Sequence, residues 1–465
     1  MKSVAFHNLG CKVNSYELDV MQQMLVEKGY LIVPFDQIAD IYIINTCTVT
    51  NIADRKSRQM LHRAKQRNPQ AIVVAVGCYV QTDSEGVKKD ESIDLAIGNN
   101  RKKDLVPILE KFLKERAERE QSEGGGCQKD MGDACGLDKT LYGTTIININ
   151  EPCSYEEMTL TKTAEHTRAY IKIQDGCNQF CSYCVIPYAR GRVRSRQEED
   201  ILAEIRGLVA NGYREIVLTG IHISSYGIDF EGSRQYSGSS KLIDLVEKIH
   251  EIEGLERIRL GSLEPRIVTE EVVRRLAVLP KLCPHFHLSL QSGCDETLKR
   301  MNRHYTTGEY LQGVDILRKY FDHPAITTDV IVGFPGETEE EFAATREFLE
   351  RVKFFEMHIF KYSRRAGTPA DKMPNQLTER QKSARSDVLF DMEAKHSHAF
   401  RANYIGKCAE ILWEDRREID GVSYWIGHTK DYVKVAVAAG EENLSNQISA
   451  VCVTDFLTEE IMLGK

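Results

Sequence analysis

The run Asp175-Gly176-Cys177-Asn178-Gln179-Phe180-Cys181-Ser182-Tyr183-Cys184 constrains this chain more than any other feature, because it puts three thiols, spaced Cys-x3-Cys-x2-Cys, on one short loop. The loop follows an apolar stretch, residues 170–173, that reads as a strand. Three thiolates on so tight a loop hold three irons of a cubane 4Fe-4S cluster and leave the fourth iron open to a ligand from outside the chain. Two other readings stand beside this one. A structural zinc site normally takes four ligands in paired spacing, and cysteines without a shared role are the alternative to any metal. Thirteen cysteines are an odd set for disulfides, and no export signal opens the chain, so the thiols are expected to stay free in a reducing compartment.

At 465 residues the chain is long enough for about three domains. No apolar stretch approaches the roughly 20 residues of a membrane span, so a cytoplasmic protein with no membrane partner is expected. Residues 1–110 alternate β-rich runs (4–9, 41–45, 71–76) with amphipathic helical patterns (16–28, 54–67), which predicts an open parallel α/β domain. Residues 111–166 carry a charged helical pattern, Gly124-Gly125-Gly126 and a polar stretch, and read as a linker or insertion. Residues 167–400 hold six apolar strand candidates, at 170–173, 215–219, 258–260, 286–290, 327–332 and 356–360, with helices between most of them. This predicts a partial (β/α)6 barrel with ligands at the C-terminal strand ends. Residues 401–465, with short β-like stretches around Trp413, 424–426 and 432–435, read as a small all-β barrel. The fold class is therefore α/β with an appended β module.

A second set of cysteines lies in the first domain: Cys11 in Leu9-Gly10-Cys11-Lys12-Val13-Asn14, Cys47 in Asn45-Thr46-Cys47-Thr48-Val49-Thr50, and Cys78 in Val76-Gly77-Cys78-Tyr79. Each follows the C-terminal end of a predicted parallel strand, the edge at which open α/β sheets collect ligands. Cysteine is often only a small buried hydrophobe. The repeated strand-end placement favours a second 4Fe-4S cluster with three protein ligands.

The Cys-x3-Cys-x2-Cys loop on the first strand of a β/α barrel resembles the radical S-adenosylmethionine superfamily. That resemblance implies that the methionine amino and carboxylate groups of S-adenosylmethionine chelate the open iron, and that electron transfer into the sulfonium yields a 5′-deoxyadenosyl radical. Thr219-Gly220 resembles the turn facing the methionine amine, and Gly333-Phe334-Pro335-Gly336-Glu337 the segment packing on adenine. Gly-Pro turns after strands also arise for structural reasons alone. Together the two cysteine sets resemble the methylthiotransferases over nearly the whole chain. This implies an auxiliary cluster on Cys11, Cys47 and Cys78 that supplies or carries sulfur, a radical cluster on Cys177, Cys181 and Cys184, and a C-terminal TRAM-like barrel for substrate. One S-adenosylmethionine would methylate sulfur at the auxiliary cluster. A second would be cleaved, its radical taking hydrogen from C2 of the adenine before sulfur adds there.

Within that family the segments at 9–17 and 45–59 resemble the branch acting on N6-threonylcarbamoyladenosine at tRNA position 37, and implied partners are the tRNA anticodon loop, an electron donor such as flavodoxin or ferredoxin, and a sulfur donor. Methylthiolation of a ribosomal-protein aspartate and a non-catalytic iron–sulfur scaffold that binds RNA remain the other readings. A carboxylate on the modified base or the cofactor calls for a bidentate arginine. Arg303 and Arg364 or Arg365 follow barrel strands and are the candidates, while Ser289 and Gln291 end a strand and can reach cofactor or substrate.

A net charge of −8 argues against a generic nucleic-acid coat but leaves a local RNA site open. Arg55, Lys56, Arg58, Arg63, Lys65 and Arg67 form one basic helix, and Arg190, Arg192, Arg194 and Arg196 a second cluster; such runs are either solvated faces or phosphate contacts. The first part of the C-terminal module is acidic (Glu410, Glu414, Asp415, Glu418, Asp420), so its own pull on RNA should be poor. Cys127, Cys135 and Cys153 lie in polar linker sequence, and Cys283, Cys294, Cys408 and Cys452 show no ligand spacing. His285 and His287 alternate on a strand and read as packed or hydrogen-bonded residues outside the site.

Overall fold

Strands buried on both faces carry apolar side chains at every position rather than at alternate ones, and two segments near the N-terminus do so almost throughout. In the computed structural model, β3 (Ile41–Thr46) and β4 (Ile72–Gly77) are buried at all six positions. They are the central strands of an all-parallel sheet whose outer members are β1 (Ser3–Asn8), β2 (Leu31–Val33) and β5 (Leu95–Ile97), in the order β2-β1-β3-β4-β5. The helices α1 (Lys12–Glu27), α2 (Asn51–Arg67), α3 (Cys78–Thr82), α4 (Ser84–Lys89) and α5 (Leu105–Glu123) link or follow these strands. The order reverses between β1 and β3, which is where an open α/β sheet forms its ligand crevice.

The structure describes residues 2–123, 145–162, 167–231 and 241–465. They fall into two units, one from residues 1–164, 175–178 and 185–192, the other from 165–174, 179–184 and 193–465. The first contains the parallel sheet and α6 (Ile186–Arg190).

The stretch 111–166, expected to be a linker, is structured at both ends. α5 runs on to Glu123, and residues 145–162 lie along the first unit. Thr145 bridges to Ile97, Thr161 N donates to Gln23 Oε1 at 2.8 Å, the Lys103 amide donates to Glu156 Oε1 at 2.9 Å, and Met158 and Leu160 are buried. This arm is held by hydrogen bonds to polar groups and by a few buried apolar side chains, among them Ile149, Tyr155, Met158 and Leu160, in a run too short and too interrupted to announce itself in sequence. Gly124-Gly125-Gly126, Cys127 and Cys135 lie outside the described residues.

In the second unit the six expected parallel strands are present: β6 (Arg168–Asp175), β8 (Glu215–Gly220), β9 (Arg257–Leu260), β10 (His285–His287), β11 (Ala325–Val332) and β12 (Glu356–Lys361). They alternate with α7 (Glu198–Ala210), α8 (Lys241–His250), α9 (Glu270–Ala277), α10 (Asp295–Arg300), α11 (Thr307–Tyr320), α12 (Glu339–Val352) and, after β12, α13 (Glu379–Ala402); β7 (Arg194–Ser195) flanks β6. The ladder β7-β6-β8-β9 and the ladder β10-β11-β12 are joined by single parallel bridges, Ile258 to Leu282 and Leu263 to Leu288. One expectation is corrected here. The strand expected at 286–290 is a ladder only over His285–His287, because the Thr328 hydroxyl donates to Leu288 O and accepts from Leu290 N, taking bonds a regular ladder would use. The chain then reaches Gln291 with φ +71°, bridged singly to Val330.

The last five strands, β13 (Cys408–Ile419), β14 (Val422–His428), β15 (Lys434–Ala438), β16 (Ile448–Phe456) and β17 (Ile461–Gly464), close into a barrel in the order β13-β14-β15-β17-β16. Its core includes Trp413, Trp425, Val435 and Met462. Cys408 and Cys452 face each other across β13 and β16 and form a disulfide, contrary to the expectation that all thiols stay free.

This barrel sits on the N-terminal ends of the parallel strands. Arg168, Glu215, Arg257 and His285, each the first residue of its strand, meet it. Arg257 donates to His428 O and Glu410 O at 2.9 and 2.8 Å, Arg259 donates to Lys430 O at 2.8 Å, and the Tyr432 ring lies under both Arg168 and Arg259. Glu215, fully buried, pairs with Arg259 at 2.9 Å and also faces Arg168 and Arg257, offsetting part of their charge. Glu414, one of the acids that made the module look repellent to RNA, is used in this contact with Arg168 and His428.

Candidate functional site

In the first unit the three cysteines meet at the sheet's C-terminal edge. Cys47 and Cys78 directly follow β3 and β4, and Cys11, three residues past β1, caps the N-terminus of α1. Gly10, at φ +111°, lets the loop pass close: a Cβ there would stand 3.2 Å from Cys47 Sγ and 3.1 Å from its Cβ. Desolvation raises the Cys11 thiol, although the residue as a whole is exposed, and pushes Cys47 up to about 12, and in both cases the neighbouring thiols act in the same direction. Three thiols that repel one another as thiolates, two of them buried and Cys11 open to the surface, fit a metal cluster, which deprotonates its ligands outright.

Arg190 supplies the opposing charge. Its guanidinium is 1% exposed, bonds Glu17 at 2.9 and 3.0 Å, Asp175 at 3.1 Å and Asn14 at 2.6 Å, and lowers both Cys11 and Cys47 electrostatically. Lys102, fully buried, takes the other side of Glu17. Asn99 Nδ2 approaches Cys78 Sγ at 3.5 Å and donates to Ala189 O at 2.8 Å.

The Cys-x3-Cys-x2-Cys loop begins where β6 ends. Gly176 is irreplaceable in this backbone: φ is +71°, and a Cβ would lie 1.8 Å from the carbonyl oxygen of Arg192. The Cys177 amide donates to Gly191 O at 3.0 Å. In the second unit, Cys181 and Cys184 share one turn, the Cys184 amide donating to Cys181 O at 2.9 Å. Ser182 anchors that turn through Met301 O, Arg300 O and the Ala370 amide. Asn302, also at positive φ, donates to Phe180 O at 3.0 Å.

Arg303 reaches the same turn: Nη1 lies 3.2 Å from Cys181 Sγ, Nε donates to Tyr305 Oη at 3.0 Å, and the guanidinium stacks over the Tyr305 ring. Three thiols on one loop, with a fixed cation on one of them, suit a cluster held by three protein ligands.

The other residues expected to bind cofactor fall around the C-terminal strand ends of this unit. Thr219 is buried, and Gly220 packs so that a Cβ would stand about 3.0 Å from both oxygens of Gln174. Ser289 O accepts from Tyr305 at 2.6 Å, and Gln291 is buried at the end of its bridged segment. Gly333, at φ +71°, opens a turn tied by its amide to Glu337 Oε2 at 2.7 Å, with Arg385 on Glu337 behind it. The Phe334 ring is fully buried among Met301, Tyr362 and Ala370, so the 333–337 segment offers a ligand its backbone rather than that ring.

Sequence reading missed His222, two residues past Gly220. Its Nδ1 pairs with Ser225 Oγ at 2.7 Å while buried Nε2 has no hydrogen-bond partner among the described residues. Burial, with Arg303 and Arg266 nearby, lowers it to about 4, so the ring is neutral at pH 7. Only its place after the Thr-Gly turn would have flagged it.

The two basic clusters separate. Arg190, Arg194 and Arg196 are buried, Arg196 on Glu204, and are not phosphate contacts; of the second cluster only Arg192 is exposed. Along α2, Lys65 pairs with Asp94 and Arg67 stacks on Phe35, while Arg55, Lys56 and Arg63 are exposed. Arg365 is buried, and Arg364 pairs with Asp371 at 2.6 Å.

Comparison with known proteins agrees with this layout. The model of the Radical SAM superfamily matches residues 171–349, and that of the uncharacterized protein family UPF0004 matches residues 3–98. The threonylcarbamoyladenosine tRNA methylthiotransferase MtaB of Bacillus subtilis is 38% identical over 97% of this chain and 93% of its own length. That of Aquifex aeolicus is 40% identical over 87% and 91%. The tRNA-2-methylthio-N(6)-dimethylallyladenosine synthase of Carboxydothermus hydrogenoformans is 34% identical over 96% and 95%. Among solved structures, the radical S-adenosylmethionine methyltransferase TsrM of Kitasatospora setae superposes with a TM-score of 0.51 at 17% identity, over 79% of this chain and 77% of that one, a likeness of fold.

Proposed function

This chain belongs to the radical S-adenosylmethionine methylthiotransferase family, and from that membership we propose that it converts N6-threonylcarbamoyladenosine at position 37 of tRNA to its 2-methylthio derivative, using two 4Fe-4S clusters. The observation that carries the proposal is the meeting of Cys11, Cys47 and Cys78 at one sheet edge beside buried Arg190, in a chain that also bears the Cys177-Cys181-Cys184 loop. One set of three thiols is enough for radical generation, and a second set is what a sulfur-inserting enzyme needs in addition. The tRNA branch is supported by the 38% and 40% identical relatives named for threonylcarbamoyladenosine.

When bound, the clusters supply one-electron reduction of S-adenosylmethionine and the sulfur to be transferred. The chain's own part is positional and electrostatic. Cys177, Cys181 and Cys184 would hold one cluster and Cys11, Cys47 and Cys78 the other. Arg190 and Arg303 offset thiolate charge, which favours the anionic forms that bind iron. Thr219, Gly220, Ser289, Gln291 and the 333–334 turn would bind S-adenosylmethionine, largely through backbone groups at the strand ends. The exposed cations of α2 would meet anticodon-loop phosphates, and a flavodoxin- or ferredoxin-type donor would deliver electrons.

The test is mass spectrometry of tRNA nucleosides from a strain lacking the gene, complemented by this chain or by Cys181→Ala. The 2-methylthio form of threonylcarbamoyladenosine should return with the first and stay absent with the second. Full restoration by Cys181→Ala, or restoration of a different methylthio nucleoside, would sink the proposal.

A further inference from the structure

Three adjacent strands of the second unit carry a polar cluster that none of the roles above uses. Along β11 the side chains alternate. Thr328 turns to Tyr310 of α11, and Val330 and Val332 are fully buried with it, whereas Thr327, Asp329 and Ile331 face the other way, into the concave side. Ile331 packs in the group that includes Tyr183, the neighbour of Cys184, so this inner face runs toward the cluster loop. On it, Asp329 is the register partner of His358 on β12, and Thr327 that of His287 on β10. The side-chain donor atoms of His287, Asp329 and His358 lie within 4.8 Å of one another.

The three residues are not equivalent. His287 is committed at both ring nitrogens, Nδ1 to Thr327 Oγ1 at 3.0 Å and Nε2 to Asp329 Oδ2 at 3.2 Å. That clamp fixes the carboxylate. Asp329 Oδ1, by contrast, has no hydrogen-bond partner among the described residues, and neither ring nitrogen of His358 has one, although that ring stacks on His287 with centroids 5.6 Å apart. Burial raises the Asp329 carboxyl, but its histidine neighbours and Arg303 outweigh burial and hold it below the ordinary range, so it is an anion.

We propose that this face reads the N6 substituent of the substrate base, Asp329 accepting from a ureido N–H and His358 donating to the terminal carboxylate. The inference rests on the threonylcarbamoyladenosine reading above. The chemistry of that substituent, two N–H donors followed by an anion, matches an acceptor and a donor side by side. A divalent cation is the other occupant that two histidines and a carboxylate suggest. It is disfavoured because His287 Nε2 is already bonded to Asp329 and because Arg303 adds positive charge to the same region. His287 and Thr327 are positioning residues that act through Asp329.

The test uses reconstituted full-length enzyme and two anticodon stem–loop RNAs, one with the threonylcarbamoyl group at position 37, one with a methylcarbamoyl group that keeps the ureide but lacks the carboxylate. His358→Ala should lower kcat/KM on the first RNA by about 10- to 100-fold, the usual loss for a hydrogen bond to a charged group, and leave the second unchanged. Asp329→Asn should lower both. Iron content and S-adenosylmethionine cleavage without RNA report whether each variant is intact, and Asp329→Glu provides a second variant should Asp329→Asn lose iron. Unchanged discrimination between the RNAs in His358→Ala, or undiminished rates on both RNAs in Asp329→Asn, overturns the inference. So does stoichiometric Co2+ binding by the wild type that is lost in His358→Ala, which would make the cluster a metal site. If the wild type acts on neither RNA, the substrate assignment itself fails and this inference falls with it; if it acts on the first and the variants keep its preference, only the inference fails.

Discussion

At the scale of single residues, Gly176 and Arg190 have the sharpest consequences. Gly176→Ala forces a Cβ to within 1.8 Å of a carbonyl oxygen at positive φ, and overpacking at such a position costs upward of about 2 kcal/mol. The variant should lose thermal stability and retain less iron after reconstitution, both measurable on one preparation. Arg190→Gln removes the guanidinium shared by buried Glu17 and Asp175, leaving Lys102 on Glu17. Removing one side of such a cluster costs about 3 to 5 kcal/mol, so denaturant unfolding should shift strongly, whereas Arg55→Gln on the exposed face of α2 should move it by no more than about 0.5 kcal/mol. Sequence alone left both arginines in runs that read as either solvated faces or phosphate contacts. It had no means to separate them, because what buries Arg190 is Glu17 on α1, 173 residues away. The cysteines were legible for the opposite reason: thiols at strand ends have few structural explanations, whatever the surroundings.

At the scale of elements, α2 divides cleanly into a face that packs and a face that does not. Ser57, Leu61 and Ala64 are buried, Lys65 and Arg67 are tied down, and Arg55, Lys56 and Arg63 stand in solvent. If the exposed face meets phosphates, reversing Arg55 and Lys56 to Glu should weaken tRNA binding at low salt. It should also make the log–log salt dependence shallower by about 1.5, roughly 0.7 to 0.9 for each of the two lost phosphate contacts. Filter binding across a salt series measures both. The parallel strands were readable because full burial writes itself as unbroken apolar sequence, as in β3 and β4. Residues 145–162 were not, since an arm held by Glu156, Gln23 and only a short, interrupted set of buried apolar residues gives too brief a period to detect.

For the whole molecule, the order of the parallel sheet, the β/α strands and the closing β-barrel followed from alternating pattern, but the charged contact that seats the C-terminal barrel did not. Burial raises the Glu215 carboxyl, yet Arg259 and Arg168 outweigh it and bring it down to about 2. A depressed carboxylate stabilises the fold above its unfolded value, near 4.5, and that contribution disappears as pH falls toward about 2. The gap corresponds to of the order of 3 kcal/mol at neutral pH. Urea unfolding of wild type and Glu215→Gln should therefore differ by about that amount at pH 7 and converge near pH 2. In sequence these residues looked unexceptional, as arginines in strands and acids in a β module, and only their pairing across 171 to 246 positions gives them meaning. Because Arg257 and Arg259 grip main-chain carbonyls of the C-terminal barrel while Arg168 grips its Glu414, the two cannot be traded independently. A chimera that imports a foreign C-terminal barrel inherits a stopper cut for another bottle, and exchange between relatives should succeed only when the strand-opening arginines and their loop partners travel together.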